Sequence, residues 1–259
     1  MIKPYRENNE ESKTLQVQRM FNRIAPSYNR LNRIMTMGVD LLWRKRVVGL
    51  VREVAPRVVL DAACGTGDLS FMMYRGVLSI EKLIGVDFSE QMLSVARKKA
   101  DKKGYTHSDL DYFEGKEIVG TKLSFRQADC LHLPFSDNTV DVLTCAFGVR
   151  NFEDLSGGLR EFARVLKPGG RLIVLELSSP TQPLIRVGYE FYAYRLIPLM
   201  GRLLTTDGCA YSYLPRSVNA VPQKEGLVYL IKEAGFGMAR FHSLSFGVAT
   251  LYVAEKVSA

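Results

Sequence analysis

Apolar residues recur along this chain at two spacings, and the alternation between them lays out the elements. Short unbroken runs, Val58 to Asp61, Leu83 to Asp87, Leu123 to Asp129, Val140 to Phe147 and Arg171 to Leu177, read as buried strands bounded by turn residues. Between them the period lengthens. Leu69 to Arg75 reads as a short helix. Ser89 caps a second that carries Met92, Leu93, Ala96 and Ala100 on one face. Leu155, Leu159, Phe162, Ala163 and Leu166 form a third stripe, stopped by Lys167-Pro168-Gly169-Gly170. A last helix, Gln223 to Ala234, is followed by two closing antiparallel strands, Arg240 to Ser245 and Val248 to Glu255. Strands alternating with crossovers predict an α/β fold: a doubly wound, mostly parallel sheet of seven strands, with ligands at the carboxyl ends.

Ahead of the first strand lie polar residues 1 to 13, expected to fray, and then helical spacing at Val17, Met20, Phe21 and Ile24 until Pro26. Two further helical stretches follow, within Ser27 to Gly38 and from Leu41 to about Val54. Residues 1–54 are therefore expected to form a helical cap over the mouth of a cleft, their aliphatic positions serving as plain packing, and 55–259 the ligand-binding domain. Residues 101–121 are polar and aperiodic, the pattern of a surface insertion. From Pro180 to Leu204 the chain is too apolar for a surface helix and too interrupted for a membrane span. With the polar, aromatic loop Asp207 to Pro215 it reads as a lid, residues 180–220, over a greasy substrate, with a plain core helix as the competing reading.

The run ending Leu60-Asp61-Ala62-Ala63-Cys64-Gly65-Thr66-Gly67-Asp68 is where chemistry enters. It reads as strand, glycine turn, helix, and Gly65 and Gly67 allow positive φ and close approach of a ligand. Asp61 closes this strand, and Asp87 closes the next, placed to accept ribose hydroxyls. Asp129 and the Cys130 amide are set to read an adenine, with Leu131 to Phe135 walling it. A dinucleotide fingerprint has a third glycine where Ser70 stands, and Asp68 would repel a pyrophosphate on the helix N-terminus. A phosphate-free, cationic nucleoside such as S-adenosylmethionine fits better. A purely structural turn is the bland alternative.

Composition narrows the setting. Four scattered cysteines, Cys64, Cys130, Cys145 and Cys209, and three dispersed histidines predict neither a disulfide framework nor a metal site. A reducing cytoplasm is the expected compartment. The net charge of +8 admits an anionic membrane face, while the lack of a basic cluster interleaved with aromatics disfavours nucleic acid.

The chain resembles the class I S-adenosylmethionine-dependent methyltransferases and, within them, the ubiquinone/menaquinone biosynthesis C-methyltransferases. The resemblance rests on Phe21-Asn22-Arg23-Ile24-Ala25-Pro26-Ser27-Tyr28-Asn29, with Asn32, Met35, Gly38 and Trp43-Arg44, and on Gly65-Thr66-Gly67-Asp68. It continues through Gly85 to Glu90, Leu133-Pro134-Phe135, Phe147-Gly148-Val149-Arg150-Asn151, Arg164 to Gly170, Glu176 and the Asp207 to Tyr213 loop. It implies cofactor contacts from Thr66, Asp87, Asp129 and Cys130, with Ala146 nearby. Cys64, where many members have glycine or threonine, the long 101–121 insertion, and Ala146, often serine, are departures from the family pattern.

The implied reaction carries a methyl group from a sulfonium to a ring carbon of a polyprenyl hydroquinone, converting a demethylmenaquinol to a menaquinol. A polyprenyl methoxybenzoquinol is a second implied substrate, and another lipophilic or small molecule the alternative. A phenol with a pKa of about 10 needs help to become a phenolate. Arg150 is the candidate to hold the oxyanion or orient a water as base, with Asn151 and Tyr28 completing the network. Its competing reading is a salt bridge to a neighbouring acid. His242 is a second candidate base, set against its reading as a strand histidine with a satisfied hydrogen bond. A dinucleotide oxidoreductase and a non-catalytic binding protein are the rivals from other classes. Peripheral contact with the inner membrane face is expected, and a homodimer is one of the oligomeric states left open.

Overall fold

The computed structural model describes residues 2–5, 11–108, 112–114, 117–119, 122–204 and 209–258. Strands β1 (Val58–Ala62), β2 (Lys82–Asp87), β3 (His107–Ser108), β6 (Leu123–Gln127), β7 (Val140–Ala146), β8 (Leu166–Leu177), β9 (Phe236–Leu244) and β10 (Ala249–Lys256) make one sheet in the order β3-β6-β2-β1-β7-β8-β10-β9. Pairing is parallel from β3 to β8, and the reversed strand β10 pairs antiparallel with both β8 and β9. The seven expected strands are present. The eighth, His107–Ser108, is a correction: it pairs with Leu123 and Ser124 inside the segment expected to be wholly a surface insertion. Two further strands there, β4 (Tyr112–Glu114) and β5 (Glu117–Val119), pair with each other.

Helices cover both faces, so the central parallel strands β1, β2 and β7 are buried on both sides. On one face α6 (Leu155–Val165) and α10 (Glu225–Glu233) pack Leu159, Phe162, Leu227 and Ile231 against Leu60, Leu143 and Tyr252. On the other, α3 (Asp40–Val54), α4 (Asp68–Gly76) and α5 (Glu90–Lys102) bury Val47, Val51, Phe71, Met73, Leu93 and Ala96. The Ser89 hydroxyl caps α5 at the Met92 amide, as the sequence pattern predicts. A third cluster joins α1 (Lys13–Ile24) and α2 (Tyr28–Met35) to α8 (Ile197–Leu204) and α9 (Cys209–Ala220), through Val17, Met20, Ile24, Leu31, Ile197 and Tyr211. It lies over the carboxyl ends of the strands.

Four expectations are corrected. Ile2 to Tyr5 does not fray: the Tyr5 amide donates to Gln16 Oε1 at 3.0 Å, and Arg19 stacks on the Tyr5 ring. Lys167 to Gly170 does not merely end α6 but sits inside β8, as an irregularity between Val140 and Val142 of the neighbouring strand. A Cβ on Gly170 would come within 2.7 Å of the Lys167 carbonyl, so only glycine fits. Cys209 to Pro215 is helical rather than a loop, because Ala210, Tyr211, Tyr213 and Val218 share a buried face strong enough to carry Pro215 inside α9. Asp207 and Gly208, the start of that expected loop, lie outside the described residues. Finally, Leu133 and Phe135 belong to the core beneath α6 rather than walling a ligand site.

Candidate active site

After β1 the backbone enters the left-handed region at Ala63, Gly65 and Gly67, and Gly67 starts α4. A Cβ on Gly67 would press on Phe71 and Phe125 at 3.0 and 3.1 Å, so this glycine serves packing. Gly65 differs: nothing stands within 4 Å of its missing Cβ, because that side opens on a cavity. Its amide donates to Asp87 Oδ2 at 2.8 Å, and the Ser89 amide donates to Oδ1 at 2.8 Å. Each carboxylate oxygen accepts twice when ionised, so Asp87 keeps acceptor capacity toward the cavity. Burial pushes its pKa up to about 6 despite these amides.

Across the same cavity, of about 100 Å³, stand Asp129, Cys130, Leu131 and Ala146. Asp129 uses Oδ1 to accept from the Leu131 amide at 2.9 Å. Burial pushes the Cys130 thiol far up, so it stays protonated. Helix α1 roofs the cavity with Thr14, Val17, Gln18 and Phe21.

Asp61 and Thr66 lie one layer back, at a small adjoining cavity of about 30 Å³. Asp61 accepts from Ser70 Oγ and from Thr144 Oγ1, the latter at 2.7 Å, and burial pushes its pKa up to about 6. Ser70 thus stands where a third glycine would leave Asp61 short of a donor. The Thr66 hydroxyl donates to Asn29 Oδ1 at 2.6 Å and accepts from Lys99 Nζ at 3.0 Å. Asp68 needs a correction: Lys99 Nζ at 2.7 Å and Arg33 Nη2 at 3.3 Å answer its charge. Its power to repel a pyrophosphate is correspondingly reduced, and the case against phosphate rests on the third-glycine position instead.

Beyond Phe21, Tyr28, Phe147 and Asn151, which line both spaces, opens a second cavity of about 470 Å³. Its walls are apolar, drawn from Met20, Ile24, Met35 and Trp43 on one side and Ile185, Tyr189 and Tyr192 on the other. Arg150 reaches it from the 3-10 turn Val149–Asn151 after β7. Its Nη1 donates to Glu176 Oε1 and to the Phe147 carbonyl, each at 2.6 Å. The salt-bridge reading of Arg150 is therefore realised, and the residue still faces the pocket. Its buried Nε has no partner among the described residues. Burial pulls the guanidinium pKa down, but Glu176 and the phenols of Tyr28 and Tyr213 outweigh it and hold it above the usual value. The Asn151 side-chain carbonyl accepts from Tyr213 at 3.3 Å. His242, the second candidate base, is not brought here: it sits exposed on the edge strand β9, opposite Leu251.

Three participants carried no role in the sequence reading. Glu176 was legible in principle, since it ends β8 as Asp61 and Asp87 end their neighbourhoods. Arg44 stacks on the Phe147 ring 5.1 Å away and pairs with buried Asp40, which also holds Arg33 at 2.7 Å. Lys13, buried at the start of α1, donates to the carbonyls of Arg150 at 3.1 Å and Phe152 at 2.7 Å. Burial lowers its pKa to about 8. No local signal marks a lysine whose partners are backbone atoms of a distant turn.

A parallel sheet closed by a reversed strand, with a glycine turn after β1 and an acid after β2 facing one cavity, defines the class I methyltransferase fold. Solved S-adenosylmethionine-dependent methyltransferases share it. One from Thermotoga maritima superposes with a TM-score of 0.58 at 20% identity, covering 92% of this chain and 99% of that one. Another from Aquifex aeolicus does so at 0.51 and 18%, covering 77% and 81%. The chain belongs to the ubiE/COQ5 methyltransferase family, whose model matches residues 7–256, and it is accordingly an enzyme. It is 41% identical over 98% of its length, and 97% of the relative's, to the demethylmenaquinone methyltransferase of Bacteroides fragilis. It is 42% identical to that of Thermus thermophilus, covering 92% and 100%. To the ubiquinone/menaquinone biosynthesis C-methyltransferase UbiE of Geobacter sulfurreducens it is 40% identical, covering 92% and 87%.

Proposed function

We propose that this protein methylates a ring carbon of demethylmenaquinol, a lipophilic naphthoquinol, using S-adenosylmethionine. The observation that carries this reading is the meeting of a small acid-lined cavity and a large apolar one at Tyr28, Phe147 and Asn151. The volume of the larger is in the range of small-molecule sites, and its lining suits an aromatic head with a prenyl tail.

The donor set of the smaller space suits the cofactor: the open side of Gly65 makes a cradle that a Cβ would fill, and the two acids beside it keep unused acceptor capacity. Asp87 would hold the ribose hydroxyls and Asp129 the adenine amine, with Gly65, Cys130 and Ala146 against the nucleoside. Asp61, Thr66 and Gly67 shape the turn, and Asp61 adds negative charge beneath a cationic ligand. When bound, S-adenosylmethionine supplies an electrophilic methyl group. Toward the quinol, Arg150 offers a fixed positive charge at the pocket wall to a ring oxygen as its proton passes to water. Glu176 keeps that guanidinium in place, and so Arg150 acts as the oxyanion holder rather than as a base that must itself deprotonate. Asn151 and Tyr28, at the junction, orient the ring against the methyl donor. Residues 1–54 act as the cap, residues 55–259 as the methyltransferase domain, and 180–220 as the lid.

Arg150→Lys tests the assignment because it preserves the charge opposite Glu176 while losing the guanidinium's fixed fork of donors. Calorimetric titration with S-adenosylmethionine is expected to give affinity near wild type. Turnover of demethylmenaquinol is expected to fall about a hundredfold, the contribution of a positioned polar group. An unchanged rate removes Arg150 from the reaction. A polyprenyl methoxybenzoquinol run in parallel reports which ring the pocket prefers.

A further inference from the structure

Around the mouth of the apolar cavity three large hydrophobic side chains stand in solvent. Met37 on the α2–α3 turn is 81% exposed, Leu184 in α7 (Pro183–Phe191) 89%, and Phe246 on the β9–β10 turn 79%. All three line the cavity. Single exposed apolar residues are ordinary, but three converging on one opening from separate segments mark an interaction site. Two of them also sit on left-handed backbone, Met37 at φ 50° and Phe246 at φ 59°, with Ser245 at 46°. That conformation is disfavoured for residues with a Cβ. The second tip is pinned in it by the Trp43 indole, whose N–H donates to Ser245 Oγ at 2.9 Å.

Helix α7 extends the surface. None of its residues is buried. Ile185, Gly188 and Tyr189 turn to the cavity, and Leu184, Val187 and Phe191 form an outer apolar stripe, the last two 69% and 61% exposed. A helix apolar on two faces calls for a second covering. The exposed ionised side chains on α7, on the turn that follows it to Leu196, and on Asp40–Arg46 are Lys45, Arg46, Arg186, Arg195 and Glu190. Glu190 is already bonded to Arg186 at 2.7 Å. An apolar stripe beside the surplus cation Arg195, on a chain of net charge +8, complements anionic lipid headgroups over acyl chains.

We propose that this face, α7 with the tips at Met37 and Phe246, docks on an anionic lipid bilayer and sets the cavity mouth at acyl depth. The inference rests on the quinol reading, because the docked mouth lets a prenyl-tailed substrate pass from lipid to pocket without crossing water. No helix among the described residues is long and apolar enough to cross a membrane, so the contact is peripheral.

The test is flotation of the full chain with phosphatidylcholine vesicles, with and without phosphatidylglycerol, compared with the Val187→Ser/Phe191→Ser variant. Neither of these side chains lines the cavity. Wild type is expected to float with the anionic vesicles and less with neutral ones, and the variant to bind about tenfold more weakly or worse. Transfer to a prenylated quinol held in vesicles should fall in the variant by more than transfer to a tail-less naphthoquinol in water. Wild type that does not float, or a variant that floats equally well, overturns the proposal. So does a wild-type dimer in sedimentation velocity that the substitutions dissociate, if vesicle binding is absent. Flotation needs no turnover, so wild type that floats but transfers no methyl counts against the reaction and supports the docking.

Discussion

Replacing Asp61 by Asn is expected to make the protein more stable and its cofactor site worse. The carboxylate is 1% exposed and accepts from the hydroxyls of Ser70 and Thr144, yet burial still pushes its pKa up to about 6 from an ordinary 3.8. Two hydroxyls thus fall short of the hydration the ion gave up. Because the folded value lies above the unfolded one, folding favours the protonated form, and the cost of this group grows as pH rises from about 4 to about 6. Above that window the gap is worth about 3 kcal/mol. An asparagine keeps the shape: one hydroxyl still donates to its Oδ1 and the other turns to accept from Nδ2. The variant should therefore unfold roughly 5–10 °C above wild type near pH 8, with the difference fading toward pH 4. Differential scanning fluorimetry of both proteins across that range reads the effect. Calorimetry should show weaker binding of S-adenosylmethionine, since a negative charge beneath the sulfonium side has gone. A variant no more stable than wild type near pH 8, or a difference that does not narrow on acidification, would falsify the account.

Glu176→Gln strips the counter-charge from buried Arg150, and urea unfolding is expected to show a loss of about 3 kcal/mol or more. An unmoved midpoint would mean that the guanidinium is neutralised elsewhere. Gly65→Ala meets no protein atom within 4 Å but holds a left-handed backbone, so stability should fall by only about 1 kcal/mol. Its affinity for S-adenosylmethionine should fall well over tenfold, and equal affinity would locate the ligand away from this turn.

Periodicity along the chain was sufficient for the strands, for the helices that cover them, and for the rule that ligands gather where parallel strands end. Gly65, Asp87 and Asp129 were therefore legible, and Tyr28 and Asn151 do meet at the junction of the two cavities. Those features are local: a side chain's face, a glycine's φ and a strand's end are set by neighbours a few residues away. Partnership was not legible. Arg150 with Glu176, Asp68 with Lys99 and Arg33, and Lys13 with the Arg150 carbonyl are decided by distance in space, which the spacing of residues does not encode. The same reason made a helix of Cys209 to Ala220 and a strand of His107–Ser108, where packing and an open sheet edge outweighed weak local preference. Sequence alone determined a sheet with an acid-lined turn at its mouth; only the folded chain decided which charges stand free there and which are already answered.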